Sequence, residues 1–105
     1  MGWTNQDRER LKLLTAAYAD AVAGAVNGLA LGFRPDSEEQ GIAINLDHLP
    51  GCTDHNRGII AEVLSCIGFD VEGERAYART RGQVRRILEN LIDLGVVAAS
   101  GGKVL

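Results

Sequence analysis

The chain has 105 residues, of which 46% are hydrophobic and 24% charged, and its formal net charge at pH 7 is −3. This length fits one domain, residues 1–105, and the composition is that of a globular protein rather than a disordered chain. No run of about 18 apolar residues occurs, and residues 3–7 lack the basic start of a secretory signal, so we expect no membrane association. Two cysteines in such a chain indicate a reducing, cytoplasmic environment.

The first 28 residues have the pattern of a long helix. Thr4 can cap the helix start, and Leu11, Tyr18 and Val22 recur on one face at helical spacing. The segment is rich in small residues, which allow close packing either inside the domain or against a second copy. We therefore expect a homodimer, with residues 1–28 as a possible dimerisation helix. The small residues are Ala16, Ala17, Ala19, Ala21, Ala23, Gly24 and Ala25.

Two further elements precede the C-terminal region. The short apolar runs 29–33 and 42–46 flank a segment of turn residues, which predicts a hairpin with an acidic loop. Thr53 or Asp54 can then cap a second helix that ends at Gly68. The apolar stripe of this helix is formed by Ile59, Ile60, Val63, Leu64 and Ile67.

The third helix has the clearest signals in the chain. Thr80 and Gln83 fit a capping box, in which two side chains satisfy the free backbone donors at a helix start. Gly95 predicts the helix end, and the turn residues 100–102 between two apolar segments predict a C-terminal β-wing. The expected fold is therefore α+β and mainly helical. The apolar stripe of the third helix comprises Val84, Ile87, Leu88, Leu91, Ile92 and Leu94.

Residues 80–105 resemble the recognition helix and wing of winged helix-turn-helix domains. They combine a helix of spaced Leu and Ile residues with Leu94-Gly95, a short apolar segment and a polar turn. In this comparison residues 54–67 form the scaffold helix, 69–71 a short strand and 72–79 a brief second helix, so that residues 53–105 are a winged-helix-like unit. The resemblance implies a DNA-binding protein of transcription regulation whose recognition helix enters the major groove and which reads two half-sites as a homodimer.

Charge is segregated along the chain. Residues 1–74 hold five Arg or Lys against twelve Asp or Glu, a balance of −7, whereas residues 75–105 hold six against two, a balance of +4. A basic face on an acidic body is typical of nucleic-acid binding, although the same arginines could simply solvate a surface helix. We expect an exposed face of the third helix to read bases and the flanking cations to hold phosphates. The expected base readers are Gln83, Arg86 and Asn90, and the expected phosphate contacts are Arg79, Arg81, Arg85 and Lys103.

A protein partner is the main alternative to DNA. Residues 36–39, with Asp47 and Asp54, can present an acidic surface to a basic target, and the basic helix can equally meet an acidic protein. In size and charge the chain is similar to small acidic proteins of mobile elements, including anti-CRISPR inhibitors. That similarity implies a non-enzymatic inhibitor or adaptor that acts through protein–protein interaction.

Candidate catalytic and metal-binding residues lie in the middle of the chain. His48, Cys52, His55 and Cys66 offer the donor atoms of a tetrahedral zinc site, but they lack the paired spacing of structural zinc sites. Cys52 or Ser65 with one of the histidines could form a nucleophile–base pair. Such pairs are recognised by their geometry, which the spacing of residues in a sequence does not give. We therefore expect no enzyme and no cofactor, and metal binding by these residues stays open.

Overall fold

The computed structural model describes residues 4–96, which form an α+β fold of mainly helical content, as expected. The helices are α1 (Asn5–Ala17), α2 (Ala19–Gly32), α3 (Arg57–Ile67) and α4 (Arg81–Asp93). The strands are β1 (Glu39–Asn45), β2 (Asp70–Glu72) and β3 (Arg75–Thr80), and a short 3-10 turn, Leu46–His48, follows β1. The predicted β-wing, with Lys103, lies outside the described residues.

The predicted N-terminal helix is two helices, α1 and α2, which meet at 92°. Tyr18 leaves the helical region between them, with φ −116° and ψ 39°. In the last turn of α1 the hydroxyl of Thr15 donates a 3.0 Å hydrogen bond to the carbonyl of Lys12, a local bond of the kind that bends helices. Because of the bend, the apolar α2 lies against β1 while the polar α1 contacts α3, so the prediction of one long helix is wrong.

No single helix in residues 4–96 is long and apolar enough to cross a membrane. Helices α1 and α2 reach that length and composition only when they are counted together across their bend. The apolar side chains of α2 are used in the core, where Val22, Val26 and Leu29 are almost fully buried.

The strands β1, β3 and β2 form an antiparallel sheet in that spatial order. Ile44 of β1 pairs with Ala76 of β3, and Val71 of β2 pairs with the same residue from the other side. Gly73 adopts φ +61° in the turn between β2 and β3, a conformation that favours glycine. The brief helix predicted over residues 72–79 is therefore wrong. Burial alternates along the first part of β3 with a period of two, which fits a strand.

The hairpin predicted from the apolar runs 29–33 and 42–46 is also wrong. Residues 29–32 complete α2, where Leu29 continues the buried face of that helix, and β1 pairs with β3 instead. A short apolar run has no period of its own, so it fits a helix end and a strand equally well.

The small residues of α2 pack inside the domain. A Cβ atom added at Gly24 would lie 2.7 Å from Cδ of Pro50, and one added at Gly32 would lie 2.8 Å from Cγ1 of Ile42. Ala21 and Ala25 are buried as well. The chain itself covers these residues, whereas Ala16, Ala17 and Ala19 of the same segment are exposed, so dimerisation through residues 1–28 stays a prediction.

The core lies between the sheet and helices α2, α3 and α4. Two residues from the predicted apolar stripes are outside it, because Ile59 of α3 and Ile92 of α4 are 41% and 39% exposed. Leu88 of α4 is partly buried at the edge of the core. The most deeply buried side chains of α3 and α4 are Ile60, Val63, Leu64, Ile67, Val84, Ile87 and Leu91.

Candidate binding face of the fourth helix

Helix α4 starts directly where β3 ends. The hydroxyl of Thr80 accepts a 3.1 Å hydrogen bond from the backbone N–H of Gln83, as the capping signal predicts. The backbone N–H of Arg81 donates to the carbonyl of Glu38 at 2.9 Å, which ties the helix start to the loop before β1. The start of the helix is therefore fixed at the end of the central strand β3.

Gln83 is engaged inside the domain rather than directed to solvent. Its Oε1 accepts a 2.7 Å hydrogen bond from the backbone N–H of Arg79, and its Nε2 donates to the carbonyls of Gly68 and Tyr77 at 3.0 and 3.2 Å. The capping box is thus completed one residue earlier than predicted. Both donors of the amide are used, so the expectation that Gln83 presents a free amide to a base edge is wrong.

Asn90 is held in the same way. Its Nδ2 donates a 2.6 Å hydrogen bond to the carbonyl of Ile67, the last residue of α3. That carbonyl has no donor within α3, since the last four carbonyls of a helix lack intrahelical partners. Asn90 therefore joins α4 to the end of α3 and is half-buried rather than exposed, while its contact with a base stays a prediction.

Arg79 lies on β3 and its charge is compensated locally. The guanidinium sits over the ring of Tyr77 at 4.3 Å from the centroid. It also forms ion pairs with Asp70 at 3.4 Å and Glu72 at 3.1 Å, both from β2. These contacts indicate that Arg79 stabilises the β2–β3 hairpin.

Arg81, Arg85 and Arg86 differ from Arg79, because none of them forms an ion pair with a residue in the described range 4–96. Arg85 and Arg86 are exposed, and Arg81 is half-buried. Successive residues of a helix point about 100° apart, so Arg85 and Arg86 face different directions. Arg81 and Arg85, four residues apart, share one face of α4.

That face borders a groove, which we call the α4 groove. Phe33, which follows the last residue of α2, and Ile92 of α4 are each 39% exposed there, and Leu88 is partly buried between them. Polar side chains stand along its rim. The groove is lined by Phe33, Arg81, Val84, Arg85, Leu88, Glu89 and Ile92.

The loop that follows Phe33 is held by the buried side chain of Gln40, of which 2% is exposed. Its Oε1 accepts from the backbone N–H of Arg34 at 2.8 Å, and its Nε2 donates to the carbonyls of Arg34 and Ser37 at 3.0 and 2.6 Å. Gln40 thus holds the loop that follows Phe33 from inside.

Searches of protein-family models, curated proteins and solved structures found no match to this chain.

The acidic surface expected from the sequence is partly neutralised. Arg57 of α3 forms ion pairs with Asp47 at 3.3 Å, Asp54 at 2.9 Å and Glu74 at 3.7 Å. These carboxylates, Asp47 foremost, raise the pKa of Arg57. Asp47 and Asp54 are therefore paired with Arg57 at the surface, and the acidic loop at residues 36–39 is not part of this network.

The candidate metal ligands do not come together in the described part of the chain. Within residues 4–96 no group of three His, Cys, Asp or Glu side chains is placed to hold a metal ion. Cys66 is exposed, and Cys52 is half-buried. Burial raises the pKa of the Cys52 thiol, and Asp47 acts in the same direction. A raised pKa lowers the thiolate fraction, which is the opposite of what activates a nucleophilic cysteine.

Proposed function

We propose that this chain is a non-enzymatic protein-binding module, an adaptor or inhibitor, that engages its partner through the α4 groove. The observation that carries the proposal is the meeting of Phe33, at the end of α2, with Leu88 and Ile92 of α4, which leaves an apolar floor open to solvent. Exposed apolar surface with a polar rim is typical of protein interaction sites.

The rim supports the same function. Arg81 and Arg85 stand beside the apolar floor without an ion-pair partner in the described part of the chain. Arginine next to an aromatic side chain is enriched at protein interfaces, where it binds carboxylates in a fixed geometry. Because Gln40 holds the loop after Phe33, binding would require little ordering of the groove wall.

DNA binding by a winged-helix-like regulator is the second candidate, and the unpaired state of Arg81, Arg85 and Arg86 within residues 4–96 favours it. These arginines would hold phosphates, whereas Gln83 and Asn90 are occupied by backbone carbonyls. Such binding would be largely insensitive to sequence. Against it, Glu89 lies on the rim of the groove and would repel phosphates.

Arg85 and Arg86 form a matched pair that separates the two functions. A photoreactive benzophenone residue placed at either position removes the same charge, but position 85 borders the groove and position 86 does not. In the cells that produce the protein we expect protein adducts from position 85 and few from position 86. Adduct formation should disappear on adding Leu88→Asp, provided that the variant still melts cooperatively.

Equal adduct yields from the two positions, or none from position 85, would overturn the protein-binding function. The DNA alternative makes a different prediction in a mobility-shift assay with mixed duplex fragments at low salt. There Arg85→Ala and Arg86→Ala should weaken binding alike, each reducing the salt slope by about one. No shift for the wild type would eliminate that alternative.

A further inference from the structure

The charges along the exposed face of α4 are arranged in two halves. Arg81 and Arg85 lie on the rim of the α4 groove in the N-terminal half of the helix, and Glu89 lies on the same rim one turn after Arg85. Leu88 and Ile92 supply the apolar surface of the same helix face. Positive charge thus precedes negative charge along one face of one helix.

Such a face is complementary in charge to the same face of a second α4 that runs in the opposite direction. A two-fold axis that crosses α4 midway between Arg85 and Glu89, at the level of residue 87, places Arg85 opposite Glu89 of a second copy, and Glu89 opposite its Arg85. The same operation brings the two Leu88 side chains within about one residue rise of the axis on either side, and places Arg81 near the C-terminal end of the other α4, where the helix dipole is negative. Two-fold interfaces use one patch twice in this manner.

Resting on the proposed function of the α4 groove as a protein-binding surface, we propose that the partner bound there is a second copy of this chain, with the two α4 helices antiparallel. Arg85 and Glu89 are both exposed and form no ion pair with each other or with any residue among 4–96. They are therefore available for the reciprocal pairs. A parallel arrangement would instead place like charges together, which costs free energy.

The surface is of moderate size, and this sets the strength of the dimer. Helix α4 has 13 residues, a length of about 20 Å. With Phe33 and Ile92 as its main apolar anchors, the contact is smaller than that of an obligate dimer. The dimer should therefore form reversibly, with a monomer fraction that rises on dilution.

The test is sedimentation velocity over about a hundredfold range of protein concentration. Wild type should pass from monomer to dimer, and Arg85→Glu or Glu89→Arg should each raise the dissociation constant by about tenfold or more, because each replaces two attractive pairs with two repulsive ones. An equimolar mixture of the two single variants should associate again as a heterodimer, since its pairs are complementary. The double variant R85E/E89R should likewise recover association.

Arg86→Glu is the matched control, because it makes the same charge change outside the groove and should leave the dissociation constant unchanged. The melting temperature of each variant verifies that it folds. A wild type that stays monomeric throughout, or equal effects of Arg85→Glu and Arg86→Glu, overturns the proposed dimer. If the monomeric wild type still cross-links to a different protein through position 85, only self-association fails, and the protein-binding function of the groove stands.

Discussion

The side-chain amide of Asn90 lies 2.6 Å from the carbonyl oxygen of Ile67, 23 residues earlier in the chain, and donates a hydrogen bond to it. Ile67 is fully buried, and the hydrogen bond to its carbonyl is partly buried. Gln83, two turns before Asn90, donates to the carbonyl of Gly68, the residue that caps α3. Two amides of α4 therefore satisfy consecutive carbonyls at the end of α3, and they fix how these two helices pack.

We expect Asn90→Ala to lower the free energy of unfolding by about 1–3 kcal/mol, because the Ile67 carbonyl would lose its donor in a buried environment. Urea denaturation monitored by circular dichroism gives this quantity. Arg86→Ala on the exposed side of the same helix is the control and should change it by less than about 0.5 kcal/mol. Equal values for the two variants would contradict the structural role of Asn90.

The packing of α2 is tested by two glycines in helices. Gly24→Ala should lower the free energy of unfolding by about 1–3 kcal/mol, because the added methyl group would lie 2.7 Å from Cδ of Pro50. Gly82→Ala in α4 meets no atom within 4 Å and should instead raise it by about 0.4–1 kcal/mol through reduced entropy of the unfolded chain. Thermal melts of both variants provide the comparison, and two changes of the same sign would be inconsistent with this packing.

Much of this fold follows from the sequence where a helix carries its own signals. The capping residue Thr80 and the stripe through Val84, Ile87 and Leu91 predict α4 almost residue by residue. Strand β2 was predicted as residues 69–71, but β3 was missed because alanines fill its buried positions, and alanine does not signal a strand. The bend at Tyr18 was missed because it depends on the distant surfaces that α1 and α2 cover.

The candidate site, like the fold, was only partly predictable from the sequence. Helical periodicity places Gln83 and Asn90 away from the apolar stripe, but it does not reveal that the end of α3 lies beside them. Phe33 joins the α4 groove from about fifty residues away, which no local pattern predicts. The sequence did contain one signal of the groove. Leu88 and Ile92 make the apolar stripe of α4 wider than a single buried helix face requires.

Substitutions of Leu91 and Leu88 distinguish the buried face of α4 from the face that borders the α4 groove. Leu91 is 1% exposed, so Leu91→Ala should lower the free energy of unfolding by about 2–5 kcal/mol. Leu88 is only partly buried, and Leu88→Ala should cost about 1 kcal/mol in the monomer, because less apolar surface leaves contact with the protein. Urea titrations at low protein concentration keep association out of the measurement. Similar losses for both leucines would place Leu88 in the core and would weaken the case for the groove.

The two cysteines should react at different rates. Cys66 is exposed, whereas Cys52 is half-buried and its thiol pKa is raised by burial and by the nearby carboxylates, Asp47 first. Since the thiolate is the reactive form, iodoacetamide at about pH 8 should modify Cys66 several-fold faster, and the Cys52 rate should keep rising as the pH increases. Peptide mass spectrometry over time follows each cysteine separately.

The electrostatic part of that difference is tested by Asp47→Asn. Removing this carboxylate should lower the pKa of Cys52 and accelerate its alkylation, because Asp47 raises the pKa and Arg57 would then act on the thiolate with less compensation. Asp36→Asn, in the exposed loop before β1, removes the same charge elsewhere and should leave the rate unchanged. If Cys52 reacts at the same rate in both variants, burial alone controls the thiol and Asp47 has no influence on it.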